Sequence, residues 1–92
     1  MAKEKDEYKG LKSELDKLSW PRLYVFKFIV NADNKKVAQV QSLASSETAE
    51  VHLNTSKTGK FVSITIKEVM ISSDEVIKKY KKATDIEGLI AL

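Results

Sequence analysis

Alternate residues of the segment Phe61–Ile66 are apolar. Val62, Ile64 and Ile66 form one series, and Phe61, Ser63 and Thr65 form the other, mostly small and polar. Successive side chains leave opposite faces of a strand, so this pattern predicts a half-buried strand reaching about Met70, with one face on a core and one face open. Upstream, Tyr24, Phe26, Phe28 and Val30 alternate with Val25, Lys27 and Ile29. Both series are largely apolar, which predicts a central strand over 23–30, covered on one face and close to covered on the other. A third alternation, Ala49, Val51 and Leu53 against Glu50, His52 and Asn54, predicts a strand from about Thr48 to Asn54. Leu89-Ile90-Ala91-Leu92 is apolar throughout and reads as a final short strand that is buried or pairs with a partner.

Helical spacing occupies the intervals. Leu11, Leu15 and Leu18 share one stripe of a short leading helix over 11–18, which Pro21 ends. Residues 1–10 lack apolar periodicity and are expected to form a flexible charged tail. Asn31 or Asp33 can cap a helix whose inner face holds Val37, Val40 and Ala44, and which Ser45-Ser46-Glu47 closes. Ser72 followed by Glu75 is a capping-box signature, and Val76, Ile77 and Tyr80 form the buried side of the helix after it. Between the second and third strands, Ser56 to Lys60 reads as a hairpin turn in which Gly59 takes a positive φ. The order β-α-β-β-α-β predicts an α+β fold of ferredoxin-like type: a two-layer sandwich with antiparallel sheet order 4-1-3-2 and both helices on one face. Residues 11–92 form its single domain, with the core in 20–92.

Composition narrows the chemistry. With no cysteine among 92 residues, thiol nucleophiles, thiolate metal sites and Cys-x-x-Cys copper carriers drop out together, and one histidine, His52, does not build a metal centre alone. The amino terminus is charged and without a signal-like apolar run, and no apolar stretch approaches the about 20 residues of a membrane span, so a cytoplasmic protein without membrane contact is expected. Sixteen Lys and Arg against thirteen Asp and Glu leave a net charge of +3, spread along the chain. The densest run, Lys78-Lys79-Tyr80-Lys81-Lys82, reads as a solvated helix face.

Candidate motifs thin out under the same scrutiny. The Ser56–Lys60 turn has one glycine and precedes a strand, whereas a P-loop needs two glycines before a helix. An RNA-recognition surface needs several aromatic side chains on its open face, and the series Phe61, Ser63, Thr65 supplies one. Acylphosphatase shares the topology but needs a glycine-rich loop after strand one and a phosphate-gripping arginine; the only arginine, Arg22, precedes that strand, and the loop after Val30 is Asn31-Ala32-Asp33-Asn34. His52, between Glu50 and Asn54 on an edge strand, has no identifiable nucleophile to serve and reads as a surface residue. Trp20 is expected to cap the edge of the core.

Leu18-Ser19-Trp20-Pro21 with Tyr24, Phe26 and Lys27, then Ser56 to Ile64, then Asp85-Ile86 and an apolar terminal strand, resembles the YbeD-like family in order and spacing. These are small bacterial cytosolic proteins of unknown function, and the resemblance covers about residues 15–92. It implies a ferredoxin-like fold similar to ACT regulatory domains, and hence a ligand-sensing or protein-regulating role. Trp20 stands where a phenylalanine is common in that family, and the charged amino terminus is longer.

The open sheet face, with Val25, Lys27, Ile29, Phe61, Ser63 and Thr65, is apolar enough to need a cover: the leading helix, a second copy, or a ligand-bearing partner. The expected interaction face comprises Lys27, Ile29, Ser56, Gly59, Lys60, Phe61, Ser63 and Thr65. The reading is a small non-enzymatic regulatory or adaptor protein, with no catalytic or metal-binding residues and no cofactor, working by contact with a protein partner or as a homodimer. An ACT-like sensor of an unidentified small molecule is the first alternative, and weak RNA binding ranks behind it.

Overall fold

The computed structural model describes residues 2–45 and 47–92, with side chains from Tyr8 onward. The chain runs through α1 (Ala2–Asp16), β1 (Arg22–Asn31), α2 (Asn34–Gln41), β2 (Glu50–Thr55), β3 (Phe61–Met70), α3 (Ser73–Thr84) and β4 (Ile90–Ala91). The four strands form one antiparallel sheet in the order β2-β3-β1-β4, which is the expected 4-1-3-2 read from its other end.

The ten-residue strands β1 and β3 pair along their whole length, from Arg22 opposite Met70 to Asn31 opposite Phe61. That register places Phe26, Phe28 and Val30 on the same face as Val62, Ile64, Ile66 and Met70, and all seven are buried. They share one apolar cluster with Val40 of α2, with Val76, Ile77 and Ala83 of α3, and with Leu15 and Ile86. Alternation in the sequence and burial in the structure therefore agree on this face. Tyr80 joins the cluster through edge-on ring contacts with Phe26 and Phe28, centroids 5.2 and 6.0 Å away.

Local signals place the starts of α2 and α3 as read, whereas α2 ends at Gln41, capped by Ser42, short of the expected close at Ser45-Ser46-Glu47, so Ala44 packs on the core from the loop beyond it. Asp33 caps α2, its Oδ1 accepting from the amides of Lys35 and Lys36 at 2.8 and 3.3 Å. Ser72 caps α3, its Oγ accepting from the Glu75 amide at 3.2 Å. Trp20 lies half-buried at the core edge and donates its indole N–H to the Leu15 carbonyl at 3.1 Å.

The first helix departs from expectation. It begins at Ala2 instead of Leu11, so residues 2–10, expected as a tail, are helical. The intervening residues include strong helix formers, Lys and Glu, and the single Gly10 costs only about 1 kcal/mol in a helix. Its docking stripe is Tyr8, Leu11 and Leu15, not Leu11, Leu15 and Leu18; Leu18 lies beyond the helix and is exposed. The helix lies against α3, with Lys12 Nζ 3.0 Å from Asp74 Oδ1 and Lys81 Nζ 5.6 Å from the centre of the Tyr8 ring. It therefore does not cover the open sheet face. No helix among the described residues is long and apolar enough to cross a membrane.

Candidate functional site

The other face of the sheet carries the residues expected to make contacts. Cross-strand registers set them in rows: Asn54, Ser63, Ile29 and Ile90 in one, His52, Thr65 and Lys27 in the next, then Glu50, Lys67 and Val25, with Val69 opposite Leu23 beyond. Phe61 stands opposite Asn31 at the far end. Five of the eight expected residues, Lys27, Ile29, Phe61, Ser63 and Thr65, thus lie on one continuous surface. Ser56, Gly59 and Lys60 sit in the hairpin beside Phe61.

That hairpin is held firmly. The Gly59 amide donates to the Ser56 carbonyl at 2.9 Å, and Gly59 takes φ 73°, the left-handed conformation that glycine accepts without a Cβ clash. Ser56 Oγ accepts from the Phe61 amide at 3.1 Å, and the Ala32 amide donates to the Lys60 carbonyl at 2.8 Å, tying the loop after β1 to the turn.

This face stays bare to a degree the sequence pattern understated. Leu23 is 57% exposed, Val25 51%, Val69 49% and Ile90 52%. Val25, expected on a nearly covered face, is therefore half open. Leu23, Val69 and Ile90 are absent from the expected contact set, although continuing the alternation two residues past Val25, and four past Thr65, reaches the first two. Among the described residues neither Lys27 nor Lys67 makes an ion pair, while His52 Nε2 lies 3.5 Å from Glu50 Oε1 on the edge strand.

A second constellation was not visible beforehand. Glu68 of β3 and Lys79 of α3 are only 3% and 7% exposed, with Lys79 Nζ 2.5 Å from Glu68 Oε1. Lys79 also donates to Ser45 Oγ at 3.2 Å, and Ser45 Oγ donates to Glu68 Oε2 at 3.0 Å. Lys79 therefore does not belong to a solvated face: its ammonium is buried 5.7 Å from the centre of the Phe26 ring. Burial raises the Glu68 carboxyl, but the hydrogen bonds from Lys79 and Ser45, with the Lys79 charge, outweigh it and hold the group below the ordinary glutamate value. The proton direction, from lysine to serine and from serine to carboxylate, is opposite to that of a lysine base activating a serine. The triangle is an internal ion pair with its polar atoms satisfied. Two signals could have exposed it: Glu68 continues the core series Val62, Ile64, Ile66, and Lys79 follows Val76 by one helical turn.

No group of three or more His, Asp or Glu among the described residues is arranged to hold a metal ion. The DUF493 family, described as protein of unknown function, matches residues 16–92, and the chain belongs to it. Neither the curated proteins nor the solved structures contain a match.

Proposed function

We propose that this member of the DUF493 family is a small non-enzymatic regulatory or adaptor protein of the cytoplasm, which docks the open face of its sheet on another protein. The carrying observation is the bare apolar surface formed by Leu23, Val25, Val69 and Ile90 around Lys27 and Lys67. Exposed apolar area of this kind, framed by polar side chains, marks interaction surfaces in soluble proteins. The two lysines favour a different protein over a second copy. Lys27 lies near the middle of the face, and a two-fold self-association brings residues near the axis against their own copies, setting ammonium against ammonium. A partner with an apolar patch carrying carboxylates answers both features.

The same reading takes the fold as ferredoxin-like and two-layered, supported by the strand order and by the shared cluster of sheet, α2 and α3 residues. Kinship with YbeD-like proteins, and through them with ACT regulatory domains, rests on the motifs around Trp20-Pro21 and Ser56 to Ile64. Nucleic-acid binding has less support, because among the described residues this face offers only Phe61 and the edge-strand His52, which lies beside Glu50, as stacking rings.

The test is capture of an identified partner, reconstituted from purified components, with wild-type protein and with Val25→Asp/Val69→Asp and Lys27→Glu. Both positions of the double variant are exposed, so folding is kept. Binding lost in the double variant and weakened in Lys27→Glu supports docking through this face. Unchanged binding in both, self-association removed by the same variants, or a robust turnover abolished by changing one polar residue overturns it.

A further inference from the structure

A cleft of about 340 Å³ opens beside the buried ion pair, away from the open sheet face. Leu43 and Ser45, just past α2, form one wall, and Met70 at the end of β3 contributes an apolar surface. The opposite wall is α3, which presents Glu75, Lys78, Lys79 and Lys82. Spacings of three and four residues place these on one stripe of the helix, and the seven steps from Glu75 to Lys82 span about 10 Å.

The four charged groups have different duties. Lys79 is committed to Glu68 and Ser45 within the protein. Lys78 and Lys82 are exposed and make no ion pair among the described residues. Like charges one turn apart on a helix repel, and a bound anion removes that repulsion. Glu75 stands at the other end of the cleft and disfavours negative charge there. The wall between them is preorganised: the Ser45 hydroxyl is fixed by hydrogen bonds with two side chains that are themselves buried, so binding does not have to order it.

The geometry points to a binding site for a small molecule with an anionic group, phosphate or carboxylate, on a short apolar body. The anion sits between Lys78 and Lys82, and the body lies along Leu43 and Met70 towards Glu75. The volume is within the range of small-ligand pockets, and the mixture of an apolar surface with a few placed polar groups is their usual chemistry. This site shares no residue with the proposed docking face, so the two proposals fail separately.

The experiment is an amide-resolved NMR titration of the full chain with hexyl phosphate, hexanoate, inorganic phosphate and hexanol. Saturable shifts at Leu43, Ser45, Met70, Lys78 and Lys82 are expected with hexyl phosphate or hexanoate, and the stronger of the two identifies the anion. Inorganic phosphate, lacking the body, binds more weakly, and hexanol, lacking the charge, does not saturate. Lys78→Gln/Lys82→Gln, which changes only exposed side chains, is expected to weaken binding about tenfold or more, while Lys27→Gln on the sheet face leaves it unchanged. Shifts that do not saturate, that are matched by hexanol, or that survive the double substitution within about twofold overturn the site.

Discussion

Replacing Lys79 with methionine tests the least expected feature of this protein. The substitution keeps an unbranched side chain beside Phe26, so lost packing contributes only about 1 kcal/mol or less. It strands the Glu68 carboxylate, only 3% exposed, with the Ser45 hydroxyl and amide as its remaining donors at 3.0 and 3.5 Å. Removing one partner of a buried pair typically costs about 3–5 kcal/mol; the surviving Ser45 bonds place this case at the lower end, near 3 kcal/mol. A 92-residue domain has about 5–14 kcal/mol in total, so the variant folds but with a large deficit. Urea unfolding followed by the fluorescence of the single tryptophan, Trp20, and by far-ultraviolet circular dichroism reads it directly. Glu68→Leu/Lys79→Met removes both charges and is expected to recover the loss, since an apolar replacement of a whole buried pair is neutral or stabilising.

The pH dependence separates a stranded charge from a packing defect. In the wild type the Glu68 carboxyl lies below its unfolded value, so its contribution is fully present above that unfolded value, about 4.3, and is lost as pH falls through the lower folded value. Without Lys79, burial dominates and the folded carboxyl rises above the unfolded one. The variant's penalty is then largest at neutral pH and disappears below the unfolded value. The deficit relative to wild type is therefore expected to shrink steadily on acidification from pH 7 to about 3. A loss under about 1 kcal/mol at pH 7, or one of the same size at every pH, refutes the assignment of Lys79 and Glu68 as a buried ionic pair.

Gly59→Ala is expected to destabilise by about 1 kcal/mol: the new Cβ meets nothing within 4 Å, so the cost is the backbone's positive φ alone, and an unchanged or raised urea midpoint would contradict the turn geometry. The Asp16 carboxyl is held below its ordinary value chiefly by the Ser73 hydroxyl, against partial burial and with help from Lys12. Its contribution to stability is present above the unfolded value and lost as pH falls through the folded one. Carboxyl NMR titration should therefore place Asp16 low in the wild type and higher in Ser73→Ala, and identical titrations would refute the α1–α3 junction as drawn.

Much of the sheet was legible because strand periodicity has only two phases. Once Ile64 faces the core, Phe61, Ser63 and Thr65 must not, and pairing with β1 carries that choice to Lys27 and Ile29. The length of α1 was not legible in the same way. Its residues 2–10 have no apolar repeat of their own, and Tyr8 becomes a docking residue only by sharing a stripe with Leu11 and Leu15 against α3. The bareness of the open face followed from helix placement. A stripe of leucines shows that a helix has a buried side without showing which surface buries it.

Glu68 and Lys79 show how a misreading can be corrected by its own physics. Each is a charged residue at a position whose periodicity belongs to the core, and taken singly each invites the conclusion that the pattern has ended. A lone charge there would be prohibitively expensive, so such a position is either at a boundary or matched by an opposite charge elsewhere. Both residues occur on elements whose apolar series continues beyond them, to Met70 on β3 and to Ala83 on α3, which rules out the boundary. One acid and one base, each out of place inside an unbroken stripe, then imply one another. That inference places the end of β3 beside the middle of α3, and with them Ser45 and the lysine-lined cleft.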